Sequence, residues 1–126
     1  MHLDSVAIDN QTADPLSVRV SVDRWFNAYE CDTGDALGSL DRDATFTVEA
    51  GEMLCLRGEA SREPYDAREH VRSLALVRQG QRCFYGTHEQ LREAFGRKVR
   101  GFRVFEVNDE VCGPAGSRAG ATAATR

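Results

Sequence analysis

The chain has no apolar run approaching the ~20 residues that span a bilayer, so no membrane insertion is expected. Its start, Met1-His2-Leu3-Asp4-Ser5, has neither a basic region nor an apolar core, which argues against a secretory signal, and the acidic residue argues against an Arg-rich transit peptide. Lysine is nearly absent: Lys98 stands beside fifteen arginines. That bias suits planar, bidentate contacts, and GC-rich coding would produce it equally. No Cys-x-x-Cys pair occurs among Cys31, Cys55, Cys83 and Cys112, so the local pairs of a structural zinc site are missing. Cys55 and Cys83 lie in apolar strand-like runs and are expected as buried free thiols. An intracellular, cytoplasmic setting would keep all four cysteines reduced. No metal and no other cofactor is expected.

What remains is an ordinary soluble composition: 126 residues, 41% apolar, 29% charged, net charge −4. That length fits one domain with a modest core. The charge is split along the chain. Residues 1–66 carry 14 acids against 5 bases, and residues 67–126 carry 11 bases against 6 acids. The halves either complement each other when folded or present a partner-binding face.

Periodicity gives the coarse architecture. Residues 1–14 are polar and unpatterned and read as a flexible lead-in. Leu16–Val22 alternates as a half-buried strand. Trp25, Phe26 and Tyr29 follow as an aromatic cluster, and the glycines and aspartates of 31–42 read as a loop. Residues 44–48 and 53–57 are strands on either side of an Ala50-Gly51-Glu52 turn. Ser61 can cap a helix with Glu63, Pro64 and Asp66 in its first turn, and Ala67, Val71 and Leu74 would line one face of it. Residues 74–77 and 82–85 pair as a hairpin about Gln79-Gly80-Gln81. Thr87 and Gln90 form a capping box for a second helix bearing Leu91, Ala94 and Phe95, ended by Gly96. Phe102–Val107 is the last strand, and residues 110–126 read as a disordered Ala/Gly-rich tail. The expected fold is α+β over residues 15–109: a mostly antiparallel or mixed β-sheet with two short helices packed on it. Its core would hold Val18, Val20, Val22, Phe26, Phe46, Val48, Leu54, Leu56, Val71, Leu74, Leu76, Phe84, Leu91, Phe95, Phe102, Val104 and Val107.

Two segments resemble the opening and closing of an ATP-binding cassette (ABC) ATPase domain. The first contains Trp25-Phe26-Asn27-Ala28-Tyr29, Ala36-Leu37 and the strand–turn–strand from Thr45 through Gly51-Glu52 to Gly58. The second runs from Tyr65-Asp66 through Ser73, Gly80, Cys83 and Gly86-Thr87 to Phe95-Gly96, and with Phe102–Val107 it is similar to the tail of the A subfamily. The resemblance puts Tyr29 where that family stacks an aromatic on adenine. It also implies a phosphate-binding loop after Gly58, with glycines, a lysine and a Ser/Thr for magnesium. Here the chain reads Glu59-Ala60-Ser61-Arg62-Glu63-Pro64, and Tyr65 takes the place of the catalytic histidine. The catalytic middle is missing, so no ATP hydrolysis is expected and no catalytic residue is assigned.

The bland readings of single residues are core packing for Tyr29, helix-face packing for Tyr65, solvated imidazoles for His70 and His88, and a solvated turn for Glu49 and Glu52. The expected function is a non-catalytic interaction or regulatory protein resembling a degenerate ABC ATPase domain. Residues 53–56, without their parallel neighbours, would form an exposed sheet edge that recruits a protein partner or a second copy. Two rivals stand beside it. Gly51-Glu52-Met53-Leu54 followed by Gly58-Glu59 is similar to a cyclic-nucleotide-binding sensor, though Gly86 is followed by Thr87-His88-Glu89 rather than by a phosphate-cradling Gly-Glu. Arg82, Tyr85, Arg97, Lys98, Arg100 and Arg103 interleave basic and aromatic groups as RNA-binding surfaces do.

Overall fold

The computed structural model describes residues 5–58 and 66–114. Ten strands and one helix follow in order: β1 (Ser5–Asn10), β2 (Leu16–Val22), β3 (Phe26–Glu30), β4 (Ala36–Leu40), β5 (Asp43–Val48), β6 (Met53–Gly58), β7 (Val71–Arg78), β8 (Gln81–Thr87), α1 (His88–Ala94), β9 (Arg97–Val99) and β10 (Phe102–Val107). They make a mixed six-stranded sheet, β4-β3-β6-β1-β10-β9, and an antiparallel four-stranded sheet, β5-β2-β7-β8. The chain changes sheet after β1, β2, β4, β5, β6 and β8, so the two sheets are built together.

The core lies between them. Period-two alternation sends Val6, Ile8, Phe26, Leu54, Leu56 and Phe105 inward from the larger sheet. Leu16, Val18, Val20, Leu74 and Leu76 meet them from the smaller one. Every predicted core residue is buried except Phe46, Phe84 and Phe102, which are half-buried.

α1 is held by the expected capping box, in which the Thr87 N–H donates to Gln90 Oε1 at 2.8 Å. Its Leu91 and the following Phe95 are fully buried, and Phe95 meets the Phe105 ring edge-on at 5.8 Å. Gly86 permits this closeness: a Cβ there would sit 2.9 Å from the Phe84 ring and 3.1 Å from Leu91. The hairpin turns Gln79-Gly80 and Arg100-Gly101 have φ of 53° and 78°, and 52° and 88°. Positive φ at both central residues gives the primed twist that joins adjacent antiparallel strands.

The mixed and antiparallel sheets match the expected class, but the fold is mainly sheet and several expectations are corrected. The lead-in is not flexible throughout: Ser5–Asn10 is an interior strand, with Val6 and Ile8 fully buried. The expected loop at 31–42 contains β4. Ala67, Val71 and Leu74 are all buried, yet only Ala67–His70 turns, as a single 3₁₀ turn capped by Asp66, and β7 begins at Val71. The β-branched and apolar run of β7 gains more by pairing with both β2 and β8 than by forming one helical stripe. Ser61, Glu63, Pro64 and Tyr65 lie outside the described residues. The ordered chain extends past residue 109, because Cys112 is fully buried and bonded to Cys83; residues 115–126 lie outside the described residues. Residues 53–56 are not an edge, since β6 sits between β3 and β1; the edges are β4, β9, β5 and β8.

Truncation at the α1 contact tests this packing. Phe95→Ala should lower unfolding free energy by about 3–5 kcal/mol and Leu91→Ala by about 2–5 kcal/mol in urea denaturation. Unchanged midpoints in both would disprove the burial of this helix against the sandwich.

Candidate functional site

The outer face of the larger sheet carries the features a binding surface needs. Its register makes three rows of neighbours. Cys31, Met53, Asp9 and Glu106 form the first, Tyr29, Cys55, Ala7, Val104 and Arg97 the second, and Arg57, Ser5, Phe102 and Val99 lie along the third. The central strand β1 offers only Ser5, Ala7 and Asp9 outward, while its neighbours offer larger groups. A hollow of about 390 Å³ results, bounded by Met53, Phe102, Val104 and Val99 and by the Cys31–Cys55 bridge. Ala7 and Cys55 are fully buried on this outer face, and Tyr29, Met53 and Phe102 pack against them. An apolar layer outside the main core is unusual for a solvated sheet face.

Charge frames the hollow. Gln11 Nε2 donates to Asp9 Oδ2 at 3.0 Å and to Glu106 Oε2 at 2.9 Å. Arg97 pairs with Glu106 at 3.1 Å. The Gln11 amide, then Arg97, hold the Glu106 carboxyl below its ordinary range. Glu106 therefore stays ionised and does not suit a general acid. Arg100, at the tip of the β9–β10 hairpin, also lines the hollow. Beneath the rim, Glu30 accepts from the Thr33 N–H at 2.7 Å and the Met53 N–H at 3.5 Å. Burial pushes its carboxyl up, but the backbone donors of Thr33 and Met53 outweigh this and hold it below its ordinary 4.5.

The cysteines correct the sequence expectation. They are not free thiols: Cys31 bonds Cys55, with Cα atoms 5.3 Å apart, and Cys83 bonds Cys112, with Cα atoms 4.8 Å apart. Separations of 24 and 29 residues hid the pairing, because only the β3–β6 register and the return of the chain after β10 bring the partners together.

The singled-out residues scatter. Tyr29 lies half-buried opposite Cys55, beside the hollow. Arg97, Lys98, Arg100 and Arg103 share the β9–β10 hairpin, whereas Arg82 and Tyr85 lie on β8 in the other sheet, where the Arg82 guanidinium sits 5.4 Å from the Tyr85 ring centre. His70 and His88 each find a carboxylate that sequence spacing did not show: His70 Nδ1 lies 2.7 Å from Asp23 Oδ1, and His88 Nε2 lies 3.5 Å from Glu69 Oε2. The Glu52 carboxylate accepts from the Glu49 N–H at 3.0 Å and closes its turn. No group of three or more His, Cys, Asp or Glu with metal-binding geometry occurs among the described residues. No described helix is long and apolar enough to cross a membrane.

No family model, curated protein or solved structure matches the chain.

Two measurements test the site's supports. Thiol reagents should leave the denatured, unreduced protein unmodified. Reduction should lower stability by about 3–4 kcal/mol per bridge, from closed loops of 24 and 29 residues. Four reactive thiols before reduction would remove both bridges. Glu30, with its folded pKa depressed, adds stability that is present above 4.5 and lost as pH falls through the folded value. Glu30→Gln should therefore lower the urea midpoint at about pH 7, and the difference from the unaltered protein should shrink at about pH 3. An equal difference at both pH values would contradict the assignment.

Proposed function

We propose that the protein is a non-catalytic interaction or regulatory protein whose recognition surface is the outer face of the six-stranded sheet. The observation that carries this reading is the hollow over Cys55 and Val104: an apolar floor, a charged rim, and a strand frame tied by a disulfide. The lining supplies ionised and bridged groups rather than a nucleophile with its base. Recognition thus belongs to a sheet face, not to the β6 edge expected from sequence. Descent from an ABC ATPase domain enters only through residue order, from Trp25-Phe26 to Phe95-Gly96, and brings no nucleotide chemistry with it. The pairing of all four cysteines favours an oxidising compartment over the cytoplasm.

An RNA-binding reading has one specific support: Tyr85 is 51% exposed with Arg82 beside it. It would use the smaller sheet's edge, and Arg82→Glu should then abolish salt-dependent retention of single-stranded RNA.

Affinity capture decides the main reading. A partner retained by the unaltered protein should be lost with Phe102→Arg and kept with Thr45→Arg on the other sheet, both folded by circular dichroism. Equal retention by both variants, or measurable ATP turnover, would overturn it.

A further inference from the structure

We infer that the hollow takes a small organic anion: an apolar body ending in a single carboxylate or like head group. This rests on the outer face being the binding surface. The hollow, at about 390 Å³, has the size of small-ligand sites. Its floor is the Cys31–Cys55 bridge and Val104, and Phe102 and Met53 wall it, so the body of the ligand must be apolar.

The charges set which way round the ligand lies. Arg100 makes no ion pair among the described residues, and the β9–β10 turn, with its φ of 52°, places it at the hairpin tip beside the hollow. Arg97, its neighbour on the rim, is already engaged by Glu106 at 3.1 Å. Asp9 and Glu106, joined through Gln11, occupy the other end of the β10 row. A head group therefore meets an available guanidinium at the hairpin end and two carboxylates at the β1 end. One negative charge is favoured at Arg100, and a second charge at the far end of the ligand is repelled. A neutral ligand of the same shape keeps the apolar contacts and loses the charged one. An amphipathic cation must reverse its direction and place its head against Asp9.

The probe is 8-anilinonaphthalene-1-sulfonate, whose fluorescence rises in an apolar site, displaced by decanoate, decanol or decyltrimethylammonium. Decanoate should displace it at about tenfold lower concentration than decanol, the value of one charge-assisted hydrogen bond. Arg100→Gln, checked for folding by circular dichroism, should close that gap while leaving decanol's inhibition constant, corrected for the variant's own probe affinity, unchanged. Equal displacement by decanoate and decanol, or a gap that survives in Arg100→Gln, overturns the anion assignment. If no probe binds but Phe102→Arg still abolishes partner capture, the ligand class falls and the recognition face stands. If Phe102→Arg leaves both probe binding and capture unchanged, the face falls with it.

Discussion

The parallel pairing of the first strand with the last holds the architecture together. β1 and β10 match residue for residue from Ser5↔Phe102 to Asn10↔Val107, and the Gln11 N–H extends the ladder to the Val107 carbonyl at 2.8 Å. Without this pairing the larger sheet would separate into β4-β3-β6-β1 and the β10-β9 hairpin. It also makes the outer surface: it sets Asp9 beside Glu106 and puts the small outward residues of β1 between the larger ones of β6 and β10. The crossover spans nearly the whole chain, so loop closure opposes it until the other strands are in place. The hollow is thus a product of long-range strand pairing, not of any local motif.

A polar closure secures the end of the sandwich where β1 passes into β2. Buried Asn10 donates to the carbonyls of Val48 at 2.9 Å and Asp14 at 2.8 Å, and accepts from the Thr12 hydroxyl at 2.7 Å. Arg78, its side chain only 3% exposed, reaches Asp14 at 2.9 Å, Asp109 at 2.7 Å and the Cys112 carbonyl at 2.7 Å. Burial alone would push its guanidinium down, but the hydrogen bonds it donates to Asp109 and Asp14 reverse that and keep it charged. A buried cation is tolerable only with partners of this kind. The same arginine therefore ties the β1–β2 loop, the end of β7 and the segment carrying Cys112 into one unit. The Cys83–Cys112 bridge adds a covalent tie from β8 to that segment.

Local signals were legible in the sequence wherever a strand or helix carried its own pattern. The alternation of β2, the Gln79-Gly80 hairpin and the Thr87–Gln90 cap all stand where the residues indicated. β1 was missed because Asp9 and Asn10 look solvated, although Asn10 is buried and bonded at the end of the strand. Val71 and Leu74 obeyed helical spacing and lie in a strand, because a spacing of three crosses the β-bulge where β7's register against β2 shifts at Ser21/Val22. The hollow itself was illegible. Asp9 and Phe102 come from β1 and β10, Cys31 from just after β3 and Arg100 from the β9–β10 turn, and nothing in their spacing announces that they meet.

The split of charge along the chain has a structural meaning on the same terms. The acidic first half meets the basic second half at Arg78–Asp14, His70–Asp23 and Arg72–Asp23, so complementation between the halves accounts for part of the asymmetry. The β9–β10 hairpin is different. Arg97 is balanced within the second half by Glu106, while Arg100 at the tip makes no ion pair among the described residues. The tip also uses a left-handed arginine at φ 52°, a conformation that glycine or asparagine adopts at lower cost. Folding gains little from arginine at that position. An arginine in this place is accounted for by the apolar hollow it lines rather than by the turn it completes.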